Sequence, residues 1–342
     1  MDIQSLLREN IRALTPYSTA RDEYKGTAEV YLDANENPFP SGYNRYPDPH
    51  QQKLKEKIST LKNMPVKNIF LGNGSDEVID LIIRAFCEPA ADSILITEPT
   101  YGMYAVCANI NNVPVKRALL SSGFDLDLQA INKRLDKSVK IIFLCSPNNP
   151  SGNLLNKEKV RSLITSFAGI VVIDEAYIDF ANDAGFLPVL DNHANLIILQ
   201  TFSKAWGLAG LRMGMAFASE EIVSVLNKIK FPYNINTLTQ QTVMEKLSSD
   251  ENKKRQVEIV ITERNKLSRQ LAGIPGVTKI FPSDANFILV RFNNAAHAYN
   301  QLLKQKIIVR DRSSLTLCEG CLRITVGTPE ENTKLIETLK TL

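Results

Sequence analysis

Between about residues 50 and 230 the chain alternates two patterns. Short apolar runs occupy 68–71, 93–97, 140–145, 169–174, 196–201 and 213–218. Each is bounded by polar or glycine-rich residues and is too short for a typical helix, which predicts buried strands. Between them, apolar residues recur at three- and four-residue spacing, as in 78–86, and predict helices. Buried strands separated by helices imply an α/β fold with a mostly parallel sheet covered on both faces. The pattern changes at ENKKRQVEIVITERNKLSRQLA, residues 251–272, which predicts a long amphipathic helix ended by Gly273 and Pro275. Strands expected at 286–291, 307–310 and 322–326 follow, with a helix near 296–305 and a last helix opened by Thr328-Pro329-Glu330. The expected division is an N-terminal helix and arm over 1–30, a large α/β domain over 31–240 and a small α+β domain over 241–342. Part of the arm is expected to join the small domain, and the boundary is placed between 235 and 250.

Composition narrows the class. The 342 residues are 44% hydrophobic and 23% charged, enough for a large core, and the net charge of +3 is spread rather than gathered into a basic stripe. Nucleic acid is therefore not an expected partner. No apolar run approaches the roughly 20 residues of a membrane span, and the charged start MDIQSLLRENIRAL lacks the form of a secretory signal. No membrane partner and a cytoplasmic location are expected. Among five cysteines only Cys318 and Cys321 have a suggestive spacing. With three histidines and no second cysteine pair nearby, a turn entering a strand is favoured over a metal site, and no metal is expected.

In open α/β sheets ligands collect beyond the carboxyl ends of the strands. The residues after the runs here are GNGSDE at 72–77, TEPTYGMY at 97–104, CSPNNPSG at 145–152, DEAY at 174–177 and QTFSKAW at 200–206. The loop Gly72–Glu77 leads into a helix whose free N–H groups suit an anion, although a capped helix with acids in its first turn is the plainer explanation. IVVIDE at 170–175 resembles the acidic strand of a phosphate-hydrolysing site, but the chain has no glycine-rich loop ending in Gly-Lys-Ser/Thr. Asp174 therefore needs another cationic partner. A lysine at a strand end, Lys204, an acid that could face a protonated ring nitrogen, a phenol at Tyr177 and an arginine at Arg212 together match the needs of pyridoxal phosphate.

SPNNPSG at 146–152, DEAY at 174–177, SKAWGLAGLR at 203–212 and LRITVG at 322–327 resemble the motifs of the fold-type-I pyridoxal-phosphate aminotransferases. RENIRALTPY at 8–17, LDANENP at 32–38, NRYP at 44–47, PTYGMY at 99–104 and CLRITVGTPEEN at 321–332 extend the likeness nearly from end to end. Within the family the chain is most similar to members that transfer the amino group of L-histidinol phosphate to 2-oxoglutarate, giving imidazole-acetol phosphate and L-glutamate. The resemblance implies a large domain with a mostly parallel seven-stranded sheet flanked by helices, and a smaller α+β domain. An aromatic aminotransferase or a threonine-phosphate-type decarboxylase of the same fold are the alternatives.

The resemblance also implies roles. Lys204 would bind pyridoxal 5'-phosphate covalently and shuttle a proton. Asp174 would face the ring nitrogen, Asn149 and Tyr177 the ring oxygen, and Tyr101 the ring face. The phosphate would sit on the backbone of Gly74, Ser75 and Asp76, with Thr201, Ser203 and Arg212 across from it. Tyr46 would reach in from the second subunit of a homodimer. Arg323 would clamp the substrate anion, helped by Arg310 and Tyr17, with Asn35 near the amino donor. Arg310 has a competing assignment as an ion-pair partner of Asp311, and Tyr17 one as a packing residue.

Overall fold

The computed structural model describes residues 2–24, 28–248 and 250–341. Seven strands, β1 Ile69–Gly72, β2 Ser93–Glu98, β3 Val115–Leu119, β4 Val139–Cys145, β5 Ile170–Asp174, β6 Leu196–Thr201 and β7 Gly214–Ala218, form one sheet. Their order is β1-β7-β6-β5-β4-β2-β3. β2, β3, β4, β5 and β6 run parallel to one another, while β7 is antiparallel to both β6 and β1. Successive strand residues point to opposite faces. Accordingly Ile142, Leu144, Val171, Ile173 and Ile198 enter one apolar cluster, and Ile141, Phe143, Val172, Ile197 and Leu199 the other. Both layers are closed by helices, which is why these strands read as unbroken apolar runs.

A second sheet, β8 Val277–Ile280, β9 Phe287–Phe292, β10 Arg310–Asp311 and β11 Cys321–Thr325, has the antiparallel order β10-β11-β9-β8. Its cluster includes Leu267 and Leu271 of the helix Asp250–Leu271 and Leu335 and Leu339 of the last helix. That last helix is fixed by a capping box between Thr328 and Glu331. The two sheets meet through a small buried group of Tyr177, Phe180, Ala205, Val257, Ala285 and Phe287.

Several expectations need correction. β3 and β8 have no counterpart among the expected strands: both lie at sheet edges and are only partly buried, so neither forms an apolar run. The run 307–310 pairs only at Arg310–Asp311, because Ile307 still donates its N–H to Leu302 as the preceding helix unwinds. The helix expected at 78–86 begins at Ser75. The start of the chain is broken into Gln4–Leu6, Glu9–Ala13 and Ala20–Glu23. Ile3 and Leu7 pack into a layer of the large sheet, and Lys228 Nζ donates to the carbonyl of Arg12. All five cysteines are free and buried, and Cys318 and Cys321 flank a turn that leads into β11. No helix among the described residues is long and apolar enough to cross a membrane.

Candidate active site

Because β7 runs opposite to its neighbours, its first residue, Gly214, lies beside Gly72 at the end of β1 and Thr201 at the end of β6. At the same edge β4 ends at Cys145 and β5 at Asp174. One cavity there is lined by Ser75, Asp76, Tyr101, Asn149, Asp174, Tyr177, Thr201, Ser203, Lys204 and Arg212, with Cys145, Ala176 and Ala209. Most of the predicted cofactor residues therefore converge.

Asp174 is 3% exposed. Its Oδ2 accepts from the Tyr104 hydroxyl at 2.7 Å and its Oδ1 from the N–H of Ala176 at 3.0 Å. No cation forms an ion pair with it among the described residues. Burial raises its pKa, while the bonds from Tyr104 and Ala176 pull the other way. Lys204 is exposed as a residue, yet its amine lies 5.6 Å from the centre of the Tyr177 ring. The atoms crowding that amine, then Arg323 and, more weakly, Arg212, push its pKa below the ordinary lysine value against the opposing pull of Asp174. A buried acid without a cation and a lysine shifted toward the neutral amine thus share one cavity.

The helix Ser75–Phe86 starts at Gly74, which has φ +81 and offers no side-chain cap, so the first N–H groups remain open to an anion. A Cβ on Gly74 would come within 2.6 Å of Arg212 Nη2. A Cβ on Gly214 would meet Ser75 N at 2.3 Å. Both glycines therefore leave room for the helix start and the arginine to approach each other. Arg212 pairs with Asp76 at 3.5 Å, and Tyr101 donates to the other oxygen of Asp76 at 3.0 Å. The Thr201 hydroxyl accepts from Ser203 N and donates to the Met213 carbonyl, which shapes the turn holding Ser203 and Lys204. These features, an uncapped helix start facing an arginine and an unpaired buried acid, fit pyridoxal phosphate.

Asn149 donates to the Tyr177 hydroxyl at 3.4 Å and accepts from Arg323, which thereby joins the second sheet to the cavity. Burial raises the Tyr177 pKa and lowers that of Arg323. Arg310 lies opposite Arg323 in the β10–β11 register and forms no ion pair among the described residues. Asp311, its alternative partner, accepts instead from Ser313 N.

Six predicted residues are not among those lining this cavity: Gly74, which precedes the Ser75 helix beside it, Arg310 and Arg323 on the second sheet, and Tyr17, Asn35 and Tyr46. Tyr17 is 76% exposed on the arm. Asn35, with φ +53, and Tyr46 line a separate groove with Tyr233, on which Tyr46 stacks at 4.5 Å. Glu36 organises that groove by accepting from Arg21, Arg45 and the N–H of Tyr46. Two residues join the site without a motif of their own: Tyr104, one turn after Tyr101 in PTYGMY, and Arg312, two residues after Arg310 on the same edge.

The model of aminotransferase class I and II matches residues 21–339. The chain is 53% identical over 341 residues to the histidinol-phosphate aminotransferase of Parabacteroides distasonis, covering 100% of this chain and 99% of that protein. It is 54% identical over 343 residues to the enzyme of the same name from Cytophaga hutchinsonii, covering 99% of each. The crystal structure of the histidinol-phosphate aminotransferase from Clostridium acetobutylicum superimposes with a TM-score of 0.81 at 27% identity, covering 88% of this chain and 91% of that one. The chain belongs to the class I and II aminotransferases, a family of pyridoxal-phosphate-dependent transaminases, and within it to the histidinol-phosphate aminotransferases.

Proposed function

We propose that this chain transfers the amino group of L-histidinol phosphate to 2-oxoglutarate, giving imidazole-acetol phosphate and L-glutamate in histidine biosynthesis. The observation that carries the reading is the placement of Lys204 and the unpaired, buried Asp174 on one cavity beside the open helix start at Ser75. When bound, pyridoxal phosphate supplies an aldehyde that condenses with amines and a ring that accepts electrons from the substrate Cα–H bond. Lys204 Nζ would hold the cofactor and, when free of it, move the proton at substrate Cα. Its lowered pKa favours the neutral amine that both tasks require. Asp174 would hold the ring nitrogen, Asn149 and Tyr177 the ring oxygen, and Tyr101 the ring face. The N–H groups of Ser75 and Asp76, with Gly74, Thr201, Ser203 and Arg212, hold the phosphate.

Arg323 clamps the substrate anion, with Arg310 beside it and Tyr17 and Asn35 at the entrance. In this reading residues 31–240 form the cofactor-binding domain and 241–342 carry the substrate arginines. The active unit is a cytoplasmic homodimer in which Tyr46 completes the partner's site. Support comes from the arm and its surroundings, where Tyr17, Leu32, Phe39 and Phe231 are each at least 75% exposed in the single chain.

The test is amino transfer to 2-oxoglutarate from L-histidinol phosphate, phenylalanine and phosphothreonine. L-Histidinol phosphate should have the highest kcat/KM, and a higher value for either competitor overturns the substrate assignment. Lys204→Ala should lose turnover altogether.

A further inference from the structure

The face of the second sheet beside the cavity carries one more cation than the reading above uses. Arg310 and Arg323 are directly paired across β10 and β11, whereas Asp311 and Leu322 alternate onto the opposite face. The next residue, Arg312, returns to the arginine face and donates its N–H to Cys321 at 2.9 Å. Arg312 is near enough to Arg323 and Arg310 for their charges to act on it, and it lies near Tyr177, which lines the cavity. Its Nε is buried without a hydrogen-bond partner, as are Arg323 Nε and the hydroxyl of the adjacent Ser313. Three guanidiniums offer roughly fifteen N–H donors. Among the described residues their side chains make a single hydrogen bond, from Arg323 to Asn149, and no ion pair. Arg310 is exposed, but Arg312 and Arg323 are partly buried, and like charges withdrawn from water with so few acceptors are costly, so the cluster suits an anionic ligand of more than one charge.

We propose that Arg312 binds the distal phosphate of the amino donor together with Arg310 and sets the preference for a phosphate dianion over a single carboxylate. The inference rests on the proposed function, in which the donor is phosphorylated. A phosphate ester carries about −1.5 to −2 charges at pH 7. A phosphate places nearly two charges on one group, which Arg310 and Arg312 together balance, whereas glutamate spreads its two carboxylate charges over separate groups, one of them at Arg323. Arg312 therefore acts on the phosphorylated donor, while Arg323 meets either substrate.

The test uses the holoenzyme, in which the cofactor's own phosphate site is filled. Single-turnover half-reactions of wild type, Arg312→Gln and Arg312→Lys are followed with L-histidinol phosphate, L-histidinol and glutamate, and inorganic phosphate is titrated as a competitive inhibitor. Arg312→Gln should lower the second-order rate constant of the half-reaction with L-histidinol phosphate by roughly 10- to 100-fold and weaken phosphate inhibition, with a clearly smaller effect on L-histidinol and glutamate. Arg312→Lys should recover part of the loss, since it restores charge without the fork. An equal loss on all three donors, or a preference and phosphate inhibition that survive in Arg312→Gln, overturns the inference alone. A wild type without preference for L-histidinol phosphate over L-histidinol overturns the proposed function on which it rests.

Discussion

Tyr104 donates its hydroxyl hydrogen to Oδ2 of Asp174 across 2.7 Å in the interior, with its ring stacked on Phe143 at 4.8 Å and set edge-on to Tyr101 at 5.5 Å. Stacking fixes the ring and hence the direction of the hydroxyl. That bond opposes the burial that raises the Asp174 pKa.

Tyr104→Phe preserves the ring and removes only the hydroxyl. A hydrogen bond to a charged group contributes about 1.5–3 kcal/mol, so kcat/KM should fall roughly 10- to 100-fold. Losing a bond to the ionised form raises the Asp174 pKa further. The deficit should therefore be largest at low pH and shrink as pH rises and the carboxylate ionises. A deficit of constant size across the pH range would mean that the hydroxyl only supports packing.

Gly214→Ala tests the cup at the start of the Ser75 helix. The added methyl would lie 2.3 Å from Ser75 N, and both the helix start and the paired strands Ile69–Gly72 and Leu196–Thr201 resist displacement. Overpacking of this kind costs about 1–3 kcal/mol. Equilibrium dialysis should show weaker cofactor binding, with a lower thermal midpoint. Wild-type cofactor affinity in a folded variant would show that the helix start does not need this close approach.

Glu175, immediately after Asp174, is fully buried and accepts from Phe186 N and Gln200 Nε2. Burial raises its pKa from the ordinary 4.5 to about 7. Between those values the folded protein keeps a proton that the unfolded chain has released, so this group makes stability fall as pH rises through the window and adds no slope above it. Glu175→Gln removes the titration, and the carbonyl of Gln200, which has no partner, can turn to accept from the new amide. Thermal midpoints measured from pH 5 to 8 should slope less downward in the variant and lie above wild type at pH 8. Parallel curves would refute a protonated Glu175.

The central strands were legible because both their faces are buried, which leaves an uninterrupted apolar run. Val115–Leu119 and Val277–Ile280 were not, since an edge strand exposes part of its surface and VKRAL and VTKI carry their charges there. The early start of the helix at Ser75 was hidden because its cap is Gly74, which has no side chain to announce it. Asp174, Thr201 and Lys204 could be placed from position alone, at or just beyond strand ends. Tyr104 could not, because its partner is 70 residues away and only the packing of its helix on the sheet brings them together. Arg312 was hidden for a related reason: a two-residue strand is too short to show alternation, so its shared face with Arg310 emerges only from the pairing with Cys321–Thr325.

The hydrogen bond from Arg323 to Asn149 crosses from one sheet to the other, and Asn149 in turn donates to Tyr177. In the proposed reading Asn149 is a placeholder: its amide oxygen holds the guanidinium at the cavity, so an anion that displaced it would meet an arginine already aimed and need not gather a loose one. Displacement would also free the oxygen of the same amide whose nitrogen donates to Tyr177, which ties the ring end of the site to the anion end.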